Sequence, residues 1–213
     1  MSVLNEIAWF QNRRDEVPNQ VLAKKLAKNN DIDGIAEIAR NLWNSEANIQ
    51  GDCIKVLYES AYINPQLAAP YVDDYLALLK QRNNRLVWGG MIAIAAVAAL
   101  KVNQLIEHEA EIRSAMEKGS LITVDNAVKT LAILAAQNAD YRRQVFPYLL
   151  QHLDGSRALD FPRYAEFIAP AVDEDNRAGF SAVLEKHLPG LSAARAARVK
   201  KVLKTRSTHP KLA

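Results

Sequence analysis

A single cysteine, Cys53, rules out an intramolecular disulfide, so the fold must be held by packing alone, and a reducing, cytoplasmic setting is expected. Aromatic residues are few, at 7%, and no window alternates apolar and polar residues long enough to outweigh a helical reading, which argues against a sheet. The chain has no GxxxxGK[ST] and no GxGxxG, and its only adjacent glycines, Gly89 and Gly90, sit inside an apolar helical run rather than after a strand. His108, His152, His187 and His209 share no HxxxH or HExxH spacing. Near His108, the acids Glu107, Glu109 and Glu111 point in different directions around a helix and do not close on one ion, so neither metal nor cofactor is expected. The opening MSVLNEIAWFQNRRDE lacks the basic and then apolar regions of a secretory signal.

Charge is sparse in one place and one-sided in another. Leu86 to Leu100 carries no charged residue, yet it is shorter than the roughly 20 apolar residues of a bilayer span, is rich in Ala, and is flanked by Arg85 and Lys101. It reads as a helix covered nearly all round, with no role in a membrane. In the last 28 residues there are eight basic side chains and no acid, so the preceding 185 hold 19 basic and 24 acidic groups. The body is mildly acidic and the end is basic.

What is present is a repeat. Frames of 36 residues starting at Ile49 superimpose, each reading as helix, break, helix, break. Apolar pairs four apart recur in the first helices, at Leu57 and Ala61, Ile92 and Ala96, Val128 and Ala132, and Tyr164 and Ile168. The second helices repeat the pattern at Tyr75 and Leu79, Ile112 and Met116, Leu149 and Leu153, and Leu184 and Leu188. A spacing of four keeps each pair on one helical face, where stacked helices meet. The register extends back to Ile38 and Leu42 and forward to Val199 and Leu203. Pro18, Pro65 and Pro162 suit first helical turns, Asp31, Asn103, Asp140 and Asp173 suit N-caps, and Gly119 and Gly155 suit helix ends.

This pattern predicts an all-α chain, an α-α superhelix of about five and a half two-helix repeats forming one domain over residues 1–205, followed by a basic tail at 206–213. The unit resembles those of HEAT and armadillo-type solenoids. Its blocks DCIKVLYE, NRLVWGGM, GSLITVDNAV and PRYAEFI resemble, over essentially the whole chain, a bacterial group of HEAT-repeat proteins. The resemblance implies a fold and no activity.

In a solenoid, equivalent positions of successive repeats lie side by side. The front ends of consecutive first helices carry Asp52 and Lys55, then Arg85 and Trp88, then Thr123, Asp125 and Asn126, then Asp160 and Arg163. Asp52, Lys55, Arg85, Trp88, Asp125, Asn126 and Arg163 are therefore expected to form a partner-binding strip, with inter-repeat hydrogen bonding as the simpler role. The expected function is a non-enzymatic scaffold for a macromolecular partner, a protein, bound through its concave face or this repeat-edge strip. The alternative is a DNA-binding protein. HEAT-type DNA glycosylases, which excise alkylated bases, use Trp, Asp and Arg on a concave face, and Trp88, Asp125 and Arg163 are of those types. The acidic body is a poor match for a surface that neutralises phosphates. A basic C-terminal patch of Arg195, Arg198 and Lys201 is the other place where nucleic acid could bind, although a polar outer face is also what a terminal repeat requires.

Overall fold

A computed structural model describes residues 2–207, with side chains to Lys204. Among the described residues every regular element is helical. In chain order the α-helices are α1 (Val17–Asn29), α2 (Ile32–Arg40), α3 (Ala47–Ile63), α4 (Pro65–Ala68), α5 (Val72–Leu78), α6 (Asn84–Val97) and α7 (Val102–Glu107). They continue with α8 (Glu109–Lys118), α9 (Leu121–Gln137), α10 (Ala139–Asp154), α11 (Phe161–Ile168), α12 (Arg177–His187) and α13 (Ala193–Ser207). The chain divides into two compact units, Met1–Ala127 and Val128–Ala213, with the division inside α9. Residues 208–213 of the expected basic tail lie outside the described residues, and α13 takes in 206 and 207.

In the first unit α3 lies between α1 and α6, while α2 and α4 pack against α3 and α5 packs against α6. In the second, α10 packs against α11 and α12, and α13 against α11 and α12. The middle first helices start at 47, 84 and 121, a step of 37 rather than 36. Most of the expected seam residues are buried, including Leu57, Ala61, Tyr75, Val128, Ala132, Leu149, Leu153, Tyr164 and Ile168, while Ala96, Leu188 and Leu203 are half-buried.

The second helices are less continuous than their periodicity suggests. Pro70 sits in a 3-10 turn between α4 and α5, where its missing N–H interrupts the α ladder. Another break falls at His108, between α7 and α8. Pro18, Pro65 and Pro162 do occupy first turns. Asp31 caps α2 by accepting from the Gly34 amide at 2.8 Å. The other expected caps move. Asn138 rather than Asp140 caps α10, accepting from the Tyr141 amide at 2.9 Å, and Asn103 lies inside α7. Asp173 folds a turn onto the amides of Asp175 and Asn176, ahead of α12. Asn and Asp cap from whichever position precedes the helix in an extended conformation, and the apolar period does not locate that residue to better than two positions.

In α6, Leu86, the run from Gly89 to Ala95, and Val97 are buried, and Ile94 is fully so. The paired glycines explain how this helix is enclosed. A Cβ on Gly89 would come within 2.8 Å of Ile54 Cγ1 on α3, and one on Gly90 within 3.0 Å of the Tyr75 carbonyl oxygen on α5. Both neighbours therefore sit directly on the α6 backbone.

Candidate functional site

The front of the first unit gathers charge from three segments far apart in sequence. Asp52 on α3, almost fully buried, accepts from the Trp9 backbone amide at 2.8 Å and from Arg85 Nη2 on α6 at 3.1 Å. Glu16, just before α1, takes Arg85 Nη2 at 3.3 Å with one oxygen and Lys55 Nζ at 3.1 Å with the other. Lys55 also meets Glu59, one turn along α3, at 2.7 Å. Gly51 makes room for this, since a Cβ there would lie 2.6 Å from Arg85 Nη1. The Arg85 guanidinium thus lies flat on the backbone of α3.

Lys55 is itself buried, which works against its charged form. Hydrogen bonds to Glu59, Tyr58 and Glu16 outweigh that penalty, so its pKa lies above that of an ordinary lysine. A lysine locked in this way is a fixed cation and cannot act as a base. Cys53, next to Asp52, is buried, and desolvation with the Asp52 charge behind it pushes the thiol well above its usual range. It remains a protonated core residue.

Beside the charges runs an aromatic row. Tyr58 stands edge-on to Tyr62, with ring centroids 6.1 Å apart, and tilted against Trp88 at 6.2 Å, while Lys55 Nζ lies 4.9 Å from the centre of the Tyr58 ring. Tyr58 is buried, Trp88 is half-buried and Tyr62 is 55% exposed. This sets an aromatic side beside a side of mutually paired charges, carried by α3, α6 and Glu16 ahead of α1. Asp52, Lys55, Arg85 and Trp88 are therefore brought together.

The remaining candidates fall elsewhere. Asp125 and Asn126 stand in the first turns of α9, where the Asn126 side chain donates to the Ile122 carbonyl at 2.9 Å. Arg163, in the second unit, donates to the buried Asp160 at 2.7 Å and lies over the Tyr164 ring. Arg157 reaches the same carboxylate at 2.8 Å. In the basic C-terminal patch, Arg198 grips Glu166 on α11 with two bonds of 2.8 and 2.6 Å, Lys201 is exposed and Arg195 half-exposed. The Arg198 bonds hold the Glu166 carboxyl below the usual carboxylate range, against the opposing effect of burial. Val199 and Val202 of the same helix are buried.

Sequence reasoning missed Glu16, Glu59, Tyr58 and Tyr62. The last three were accessible to it, since Lys55 and Glu59, like Tyr58 and Tyr62, are spaced four apart on one helix. Glu16 carries no such local signal.

Three solved structures share the architecture across nearly the whole chain. A designed armadillo repeat protein in complex with the peptide (KR)4 superimposes with a TM-score of 0.68 at 15% identity, covering 95% of this chain and 97% of that one. The fold is an armadillo/HEAT-like repeat solenoid. An engineered protein gives a TM-score of 0.68 at 12% identity over 98% of both chains, and a second designed armadillo repeat protein gives 0.65 at 16% identity. No family model matches the sequence, and no curated protein does. Among the described residues, no helix of this solenoid is long and apolar enough to cross a membrane.

Proposed function

We propose that this chain is a non-enzymatic scaffold that binds an extended segment of a partner protein across its first helices, at the surface made by Glu16, Lys55, Glu59, Tyr62, Arg85 and Trp88. The observation that carries the reading is the exposed ring of Tyr62 and the half-buried ring of Trp88, joined through Tyr58, beside the carboxylates of Glu16 and Glu59. Aromatic faces offer contact area at low entropic cost and attract cations, and with the buried Asp52 beneath them the paired charges of this network number three carboxylates against two cations. A basic segment is therefore the best match. The likeness to a designed armadillo repeat protein in complex with the basic peptide (KR)4 supports this reading. Asp125 and Asn126 on α9 and Arg163 on α11 are proposed as partner contacts each on its own first helix, apart from this surface.

The basic patch favours nucleic acid less than its sequence suggests, because Arg198 is already committed to Glu166. The test is to pan a displayed library of random peptides against the full chain and to measure the recovered peptides by fluorescence polarisation. Recovered peptides are expected to be rich in Arg and Lys and to bind Trp88→Ala and Glu59→Lys variants at least about tenfold more weakly. Recovery of no binder, or equal binding by both variants, would refute the reading. Submicromolar duplex binding at physiological salt, abolished by Ala at Arg195, Arg198 and Lys201, would replace it with the nucleic-acid alternative.

A further inference from the structure

A cavity of the first unit lies away from the aromatic row, where the turn after α5 and the start of α6 face α8. It holds about 660 Å³, within the roughly 300–1,000 Å³ typical of small-molecule sites. Its apolar lining comes from Leu79, Val87 and Ala115. Its polar lining includes Lys80, Arg82 and Lys118 against a single acid, Glu111.

The pairing within this lining leaves positive charge over. Lys80 Nζ meets Glu111 at 3.3 Å, which accounts for one cation. Lys118 Nζ donates to the neutral Ser114 hydroxyl at 3.2 Å, and Arg82 makes no ion pair among the described residues. Two uncompensated cations therefore line one concavity in a body that is acidic as a whole. On the neighbouring surface of α8, Glu109 is engaged by Arg113 at 3.3 Å and does not line the cavity. An apolar lining with a cationic rim and neutral hydrogen-bonding groups at Gln81, Asn84 and Ser114 is complementary to a molecule with a flat apolar body and a phosphate.

We infer that this cavity binds a small organic phosphate of nucleotide size, with the phosphate held between Arg82 and Lys118 and the organic part against Leu79, Val87 and Ala115. Arg82 supplies a planar, permanently charged fork and Lys118 a point charge, so the phosphate rather than the sugar or base provides most of the discrimination. The site shares no residue with the proposed partner surface. The two readings can fail independently.

Titration calorimetry of the full chain with ADP, AMP, inorganic phosphate and adenosine tests the inference. ADP is expected to bind at least about tenfold more tightly than adenosine, because only ADP satisfies the two cations, and more tightly than inorganic phosphate, which leaves the apolar lining uncovered. The double variant Arg82→Glu/Lys118→Glu changes only exposed side chains and should abolish ADP binding with an unaltered melting temperature. Ala110→Trp, on the exposed lining, keeps every charge and should abolish it by filling the space. Adenosine matching ADP, no ADP binding at millimolar concentration, or binding that survives both variants would overturn the inference. Trp88→Ala should leave ADP affinity unchanged, and its loss there would also count against a separate site.

Discussion

Helices α3 and α6 lie side by side in the first unit and are buried to a similar extent, yet they reach burial in opposite ways. From Leu86 onward α6 carries no charge at all, and its glycines let α3 and α5 press against its backbone. By contrast α3 buries an aspartate and a lysine, because Trp9, Glu16, Glu59 and Arg85 arrive to pair them. The difference shows that burial here follows from the supply of partners as much as from hydropathy. A charge without partners is excluded from the core, while one with several is accepted and can position a neighbouring surface.

Putting a charge into α6 should break the comparison most severely. Ile94→Asp places a carboxylate at a fully buried position with no designated partner, and a loss of about 3–5 kcal/mol in denaturant unfolding is expected. An unchanged midpoint would mean that this face of α6 is open to solvent.

Removing the charge from α3 comes next. Asp52→Ala strips partners from the Trp9 amide and Arg85, and because the Arg85 side chain is about one-third exposed the loss is expected nearer 2–3 kcal/mol than the full cost of a broken buried pair. Adding Arg85→Ala to it should cost less than the sum of the two single changes, since the pair is coupled. Strict additivity would show that Asp52 acts on the Trp9 amide alone.

A smaller effect probes the close approach. Gly89→Ala would gain about 1 kcal/mol of helix propensity at an open site. Here the new methyl meets Ile54 at 2.8 Å, so a net loss of about 1–2 kcal/mol is expected. Net stabilisation would show that α3 yields at little cost.

Least of all should follow from the Arg198 pair with Glu166, whose side chains are nearly half exposed. Arg198→Ala is expected to cost about 0.5 kcal/mol or less, an amount reduced further by salt. The sign of its pH dependence is fixed. Glu166 has its folded pKa lowered from the ordinary 4.5, so the stabilisation is present above that value and fades as pH falls through the folded pKa. Unfolding midpoints of parent and variant should converge below about pH 4.5 and separate above it. Convergence at high pH instead would refute the pairing.

The architecture was legible in the sequence because it rests on periodicity. Leu57, Val128 and Leu149 could be placed at seams from spacing alone, whereas the close approach at Gly89 and Gly90 is shown by the structure. Periodicity is blind to what interrupts it, and the breaks at Pro70 and His108 were missed for that reason. The candidate surface was only half legible. Asp52, Lys55, Arg85 and Trp88 follow from the register, whereas Glu16 lies 69 residues from the arginine it pairs, in a segment outside any repeat. Arg198 looked like a free cation because its partner is 32 residues away on another helix. Charge is legible along a chain, but its compensation is a property of the fold.

The α3 and α6 surface, and not the basic patch on α13, is proposed to receive the partner. Hydrogen exchange of the full chain with and without a saturating recovered peptide tests it most directly. The account predicts slowed exchange confined to segments within α3 and the start of α6, around residues 55–62 and 85–92, with α13 unchanged. Protection confined to α13, or spread evenly along the chain, would contradict it.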